Sequence, residues 1–178
     1  MMVHIIGVDH WLQEYELVAD GEYSMGEPTE AELAYRRNSK EMFYEIVESH
    51  IQNGDFTVLG EECRPLQDTI GRRLAAENSI HYLEIDMLKN ERAASGILPN
   101  YQDSLEEAIR GIKLREEHMV QKLAAYLGRT NVLVICGANH IDGLTRLFSE
   151  KELSVTSQDV SKEEWAQSPI EKAVGRGF

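Results

Sequence analysis

The chain has 178 residues and no apolar run approaching the ~18 that would cross a bilayer, so a soluble domain with one hydrophobic core is expected. A formal net charge of −13 argues against a nucleic-acid backbone as partner, because phosphates are gripped through Lys and Arg. The two cysteines, Cys63 and Cys136, form no C-x-x-C pair. Neither a disulfide framework nor a Cys-based zinc site is therefore expected, and a reducing compartment is the simpler assumption. The first residues run straight into a strand, with neither a basic segment nor an apolar signal-like stretch. The expected location is the cytoplasm.

Val3-His4-Ile5-Ile6-Gly7 reads as a first short strand. A polar stretch from Glu14 to Pro28 follows as a long connection. Thr29 and Glu32 then form a capping box, and Leu33, Phe43, Ile46, Val47 and Ile51 recur at helical spacing. Asn53-Gly54 is expected to stop this helix, with Gly54 in the left-handed conformation. Phe56 to Gly60 is the second strand. Pro65 suits the first turn of the next helix, which carries Leu66, Ile70 and Leu74. Ile80 to Ile85 is the third strand, and a polar loop runs from Asp86 to Pro99. A long helix is expected from about Ser104 to Leu127, with Gly128 as its end. Asn131 to Cys136 is the strongest strand signal, followed by a short helix holding Leu144 and Leu147. A weak last strand, Leu153 to Thr156, precedes an acidic C-terminal segment. Strands and helices alternate and the best strands are near-continuous apolar runs. The expected fold is α/β, a mostly parallel sheet flanked by helices on both faces, in a single domain covering 1–178.

In such a sheet the carboxyl ends of the strands share one edge, where ligands bind. Asp9 and His10 follow the first strand, Glu61 and Glu62 the second, Asp86 the third, and Asn139 and His140 the strongest. Two of these deliveries share a spacing, Gly7-Val8-Asp9-His10 and Gly137-Ala138-Asn139-His140. A glycine at a strand end permits a sharp turn or a close approach, and the histidine three residues on can point back over the sheet. On the long helix, Leu105, Ile109, Ile112, Met119 and Leu123 form a stripe expected to pack on the sheet. Arg115 and Glu116 interrupt it, and a charge removed from water must be paired. Arg115 is therefore expected to hold Glu61 or Asp86 at the acidic edge, to bind an anionic substrate group, or to reach the surface. His4, His50, His81 and His118 read as structural or surface residues. No P-loop, dinucleotide fingerprint, H-E-x-x-H or G-x-S-x-G occurs.

Four segments, Ile6 to His10, Val58 to Cys63, Leu114 to Met119 and Val134 to Leu144, carry a family likeness. With them the sequence resembles the superfamily that includes the TraB, Tiki and erythromycin-esterase-like proteins, with the ChaN-like haem-binding lipoproteins as relatives. The resemblance implies two GxxH histidines, a strand-end glutamate and a helix arginine as functional residues, which fall on His10, His140, Glu61 and Arg115. Glu61 is preferred to Glu62 because it aligns with a glutamate two residues before the family's frequent Cys. Asp86 sits where many members place an acid. The implied activity is a hydrolase that activates water on a peptide, ester or similar bond in a small-molecule or peptide substrate. Its expected cofactor is a divalent metal (Mn, Co or Zn) on His10, Glu61 and His140, with open positions for water. Asp86 would orient a ligand and Arg115 would stabilise developing negative charge. A metal-free variant would use His10 or Glu61 as general base, with Arg115 and His140 steadying the oxyanion. The alternative is a non-catalytic module that binds haem or a metal, or that regulates a partner.

Overall fold

The computed structural model describes residues 1–13, 29–63, 68–97 and 104–167. Five parallel strands form one sheet in the order β3-β2-β4-β1-β5: β1 (Met2–Val8), β2 (Phe56–Glu61), β3 (His81–Glu84), β4 (Asn131–Gly137) and β5 (Ser154–Asp159). The expected α/β class is thus the observed one. Residues of β1 and β4 alternate between the two faces, as the two-residue period of a strand demands. Ile6, Val8, Leu133 and Ile135 join Phe43, Val47 and Ile51 of α2 (Glu30–Asn53), with Ile70 and Leu74 of α3 (Ile70–Glu77), on one side. Val3, Ile5, Val132, Val134 and Cys136 join Met119, Val120 and Leu123 of α5 (Leu105–Leu123), with Leu144 and Phe148 of α6 (Ile141–Ser149), on the other. Both faces are covered, which is why the central strands carry almost no polar residue.

The capping box that opens α2 is formed as the spacing requires: Thr29 Oγ1 accepts from the Glu32 N–H, and Glu32 accepts from the Thr29 N–H at 2.7 Å. Its other end departs from expectation. Gly54 has φ −110° and it is Asp55 that takes the left-handed conformation, at φ 47°. Glycine is needed at 54 for room instead, since a Cβ there would lie 2.0 Å from the Phe56 ring. Pro65 and Leu66 lie outside the described residues, as does the Glu14–Pro28 connection; α3 begins at Ile70, capped by Thr69. The loop after Asp86 contains a helix the apolar pattern does not signal, α4 (Lys89–Ala94), which has no buried residue.

The long helix is shorter than its pattern suggests, and its stripe is only half used. Met119 and Leu123 are buried, whereas Leu105 is 79% exposed and Ile109 46%. The first turns of α5 therefore extend past the cover of the sheet, and the part that packs begins near Gly111 and Glu116.

The strand order places a switch point between β1 and β4. From β1 the chain crosses by α2 toward β2, while from β4 it crosses by α6, on the opposite face, to β5. The connections diverge there and leave a crevice at the carboxyl ends of the two strands, where α/β sheets bind ligands. Both GxxH turns open into this crevice.

Candidate functional site

The two GxxH turns are neighbours because their strands are, with Gly7 opposite Cys136 and Val8 opposite Gly137. Each glycine makes room for the other motif. A Cβ on Gly137 would lie 3.1 Å from His10 Nε2, and one on Gly7 would lie 2.2 Å from the Ile141 side chain that follows His140. The repeated spacing thus has a packing reason: the two turns interlock.

Glu62 is the centre of the site. Its side chain is only 1% exposed, and one oxygen accepts the Gly137 backbone N–H at 2.7 Å. The other oxygen receives Arg115 Nη2, with His140 Nε2 at 3.4 Å and His10 Nε2 at 3.5 Å. Burial alone would raise this carboxyl, but His140, Arg115 and His10 outweigh it and bring Glu62 down to about 2. Arg115 also donates from Nε and Nη2 to the two oxygens of Asp86, each at 3.0 Å, and Asp86 is further paired with Arg92. Of the alternatives read for Arg115, the structure shows the acidic-edge contact, made to Glu62 and Asp86.

His140 is fully buried between two carboxylates, with Nδ1 3.2 Å from Glu116 Oε1 and Nε2 facing Glu62. Burial lowers an imidazole, yet Glu116 and Glu62 overcome that and lift His140 to about 9. At neutral pH it is an imidazolium. Glu116, the other charge that broke the stripe of α5, fits because position 143 is glycine; a Cβ there would lie 2.0 Å from its carboxylate oxygen.

His10 differs from His140 in exposure. Its side chain is 60% exposed, and its Nδ1 lies 2.7 Å from Gln13 Oε1. It is the imidazole of the cluster that solvent reaches. Gln13, in the short helix α1 (His10–Gln13), is buried and donates from Nε2 to the Glu62 carbonyl at 3.1 Å and to Glu61 Oε1 at 3.5 Å.

Glu61 is not in this cluster. Strand alternation turns it to the face of Leu59, where α3 packs, and turns Glu62 to the face of α5 and α6. Glu61 accepts from Thr69 Oγ1 and, at 2.8 Å, from Tyr82 Oη, with Gly71 leaving space for its carboxylate. Burial pushes it up to about 7, against the opposing hydrogen bonds from Thr69, Tyr82 and Gln13. Cys63, on the same Tyr82 hydroxyl, is raised to about 12 by burial and by the Glu61 charge, which keeps it a thiol at neutral pH. The structure therefore brings together His10, His140, Arg115 and Asp86 of the expected residues, and joins them through Glu62 and Glu116. Glu61 touches them only through Gln13. A groove of about 340 Å³ lined by Met42, Ile46, His50 and Trp165 shares no residue with this cluster.

The metal set His10, Glu61 and His140 is not assembled, because the Glu61 carboxylate lies on the other face. Moving the ligand role to Glu62 restores the donor chemistry, and His140 Nε2 is a buried nitrogen without a hydrogen-bond partner. The fit still fails as the site stands. Arg115 occupies the oxygen that both imidazoles approach, and among the described residues no group of three or more His, Cys, Asp or Glu side chains is arranged to hold a metal ion. No helix among them is long and apolar enough to cross a membrane.

Comparisons with known protein families, with curated proteins and with solved structures return no match.

Proposed function

We propose that this chain is a hydrolase whose acid–base centre is His10 over Glu62, acting on an ester, peptide or similar bond of a small-molecule or peptide substrate. One observation carries the reading. A solvent-reached imidazole stands 3.5 Å from a buried carboxylate that is kept ionised by a guanidinium, an imidazolium and a backbone N–H. A base that must gain a proton during a reaction works best beside a fixed negative charge that needs no reorganisation.

In this mechanism His10 Nε2 takes a proton from water as the water oxygen bonds to the carbonyl carbon and the carbonyl π pair moves onto its oxygen. The His10 imidazolium is stabilised by Glu62. When the tetrahedral species collapses, the bond to the leaving group breaks and His10 returns its proton to the departing oxygen or nitrogen. His140 is too buried to touch substrate; with Arg115 and Gly137 it holds Glu62 in place. Arg115 in turn ties Glu62 to Asp86, so both residues are assigned positioning roles. The superfamily resemblance supports the same histidines and arginine as functional groups.

The test is hydrolysis of p-nitrophenyl esters, lactones and quenched fluorescent peptides by wild type, His10→Ala and Glu62→Gln, with and without EDTA. The reading expects an EDTA-resistant activity that falls roughly 10²-fold or more in His10→Ala. Equal rates in all three proteins would remove it.

The rival proposal, a divalent-ion site on His10, Glu62 and His140, is favoured by the buried His140 Nε2, which faces Glu62 at 3.4 Å without a hydrogen bond. It requires Arg115 to leave Glu62 and His140 to lose its proton. Stoichiometric uptake of Mn, Co or Zn in equilibrium dialysis, abolished in both His10→Ala and His140→Ala, would put it first. A haem-binding module would instead give a Soret band after haem addition.

A further inference from the structure

Gln13 takes no part in the family likeness, yet it is the residue that fixes what His10 presents to the crevice. Its amide has one chemically permitted orientation. The Glu62 backbone carbonyl, 3.1 Å away, can only accept, so the NH₂ end must face it, and the carboxylate of Glu61 at 3.5 Å lies on the same side. The amide oxygen is thereby turned to His10 Nδ1 at 2.7 Å, where it can only accept a hydrogen bond. Gln13 is 2% exposed, so water does not compete for either end.

We propose that Gln13 is a positioning residue that holds neutral His10 in the Nδ1–H tautomer, leaving the Nε2 lone pair directed at the crevice beside Glu62. An unrestrained histidine side chain prefers the opposite tautomer, with the proton on Nε2, in which the nitrogen facing the crevice has no lone pair to give. The inference deepens the assignment of His10 as base and rests on it for its functional meaning. The tautomer itself stands on the hydrogen bonds alone. It also explains why Glu61, although on the other face, belongs to the same construction: with the Glu62 carbonyl it anchors the donor end of the amide.

Long-range ¹H–¹⁵N spectra of ¹⁵N-histidine-labelled protein at pH 8.5, where a free imidazole is neutral, test this directly. Wild-type His10 is expected as Nδ1–H, with Nε2 at the shift of an unprotonated nitrogen. Gln13→Met keeps the length and flexibility of the side chain while removing donor and acceptor; it is expected to move most of the His10 population to Nε2–H. Gln13→Glu retains the acceptor and should retain the Nδ1–H tautomer. Should Gln13→Met fail to fold, the wild-type spectrum still decides. A proton on His10 Nε2 at that pH, in the neutral tautomer or the imidazolium, would overturn the proposal, as would an unchanged tautomer in folded Gln13→Met. A wild type with the expected tautomer but no hydrolysis that depends on His10 would keep this inference and remove the reading of His10 as base.

Discussion

Glu61 and Glu62 are consecutive, buried, and at the end of the same strand, yet they occupy opposite environments. Glu61 is met by hydroxyls and an amide on the α3 face, and burial dominates. Glu62 is met by Arg115, His140 and a backbone N–H on the α5 and α6 face, and charge dominates. One step along a strand, by rotating the side chain through the sheet, converts a carboxyl that keeps its proton to about pH 7 into one that loses it near 2. The lesson is that the identity of a buried acid decides little. The polarity of the face it enters decides its protonation and the chemistry open to it.

Removing Glu62 should have the largest effect. Glu62→Ala removes the carboxylate that Arg115 and His140 share, leaving Arg115 to Asp86 and His140 to Glu116 alone beside a buried void, and a loss of about 3–5 kcal/mol is expected from urea unfolding. Glu61→Gln replaces a group that prefers to be neutral, and at pH 8 it should change stability far less, or raise it. Comparable losses in the two variants would erase the distinction between the faces.

The two carboxyls and His140 also give opposite signs with pH. Glu62 is depressed in the fold, so its contribution is present above the ordinary value of 4.5 and is lost as pH falls toward about 2. His140 is raised, so its contribution is complete below 6.5 and is lost as pH climbs through about 9. Glu61 is raised as a carboxyl, so the unfolded chain ionises first and stability falls between 4.5 and about 7. His4, lowered to about 4 by burial and by His50, works the other way between 4 and 6.5, so the Glu61 contribution is read as a difference: relative to Glu61→Gln, wild type should lose stability from pH 5 to 7.

Much of the fold was legible. The apolar runs that became β1, β2 and β4 marked strands covered on both faces, and the Thr29 capping box placed the start of α2. The four loops that meet in the crevice followed from the parallel arrangement alone. The choice between the two glutamates did not, because β2 has a register shift between Phe56 and Val58. Counting alternation from Phe56 and from Leu59 assigns Glu61 to opposite faces, although both residues pack on the same one. Helix α4 was missed because it buries nothing, and the exposed Leu105 and Ile109 show that a helical stripe says which face is apolar without saying how far the sheet extends. Glu116 was visible as a charge inside that stripe. Its partner His140 was not, since pairing across α5 and α6 depends on the space left by Gly143.

A smaller effect separates function from framework. His10→Ala should change stability by no more than about 0.5 kcal/mol, since the ring is largely exposed, while any hydrolytic activity of the site should disappear. Gly137→Ala is expected to fall between, because its methyl group would meet Asn139 Oδ1 at 2.7 Å and crowd the His10 ring at 3.1 Å.

The most direct test of the contrast between the faces is a ¹³C titration of the glutamate side-chain carboxyls, assigned with Glu61→Gln and Glu62→Gln. The structure predicts one buried carboxyl, Glu61, inflecting near pH 7, and another, Glu62, unchanged from pH 8 down to 4. Both resonances titrating together near 4.5, or the two assignments exchanged, would contradict the placement of Glu62 at the centre of the site.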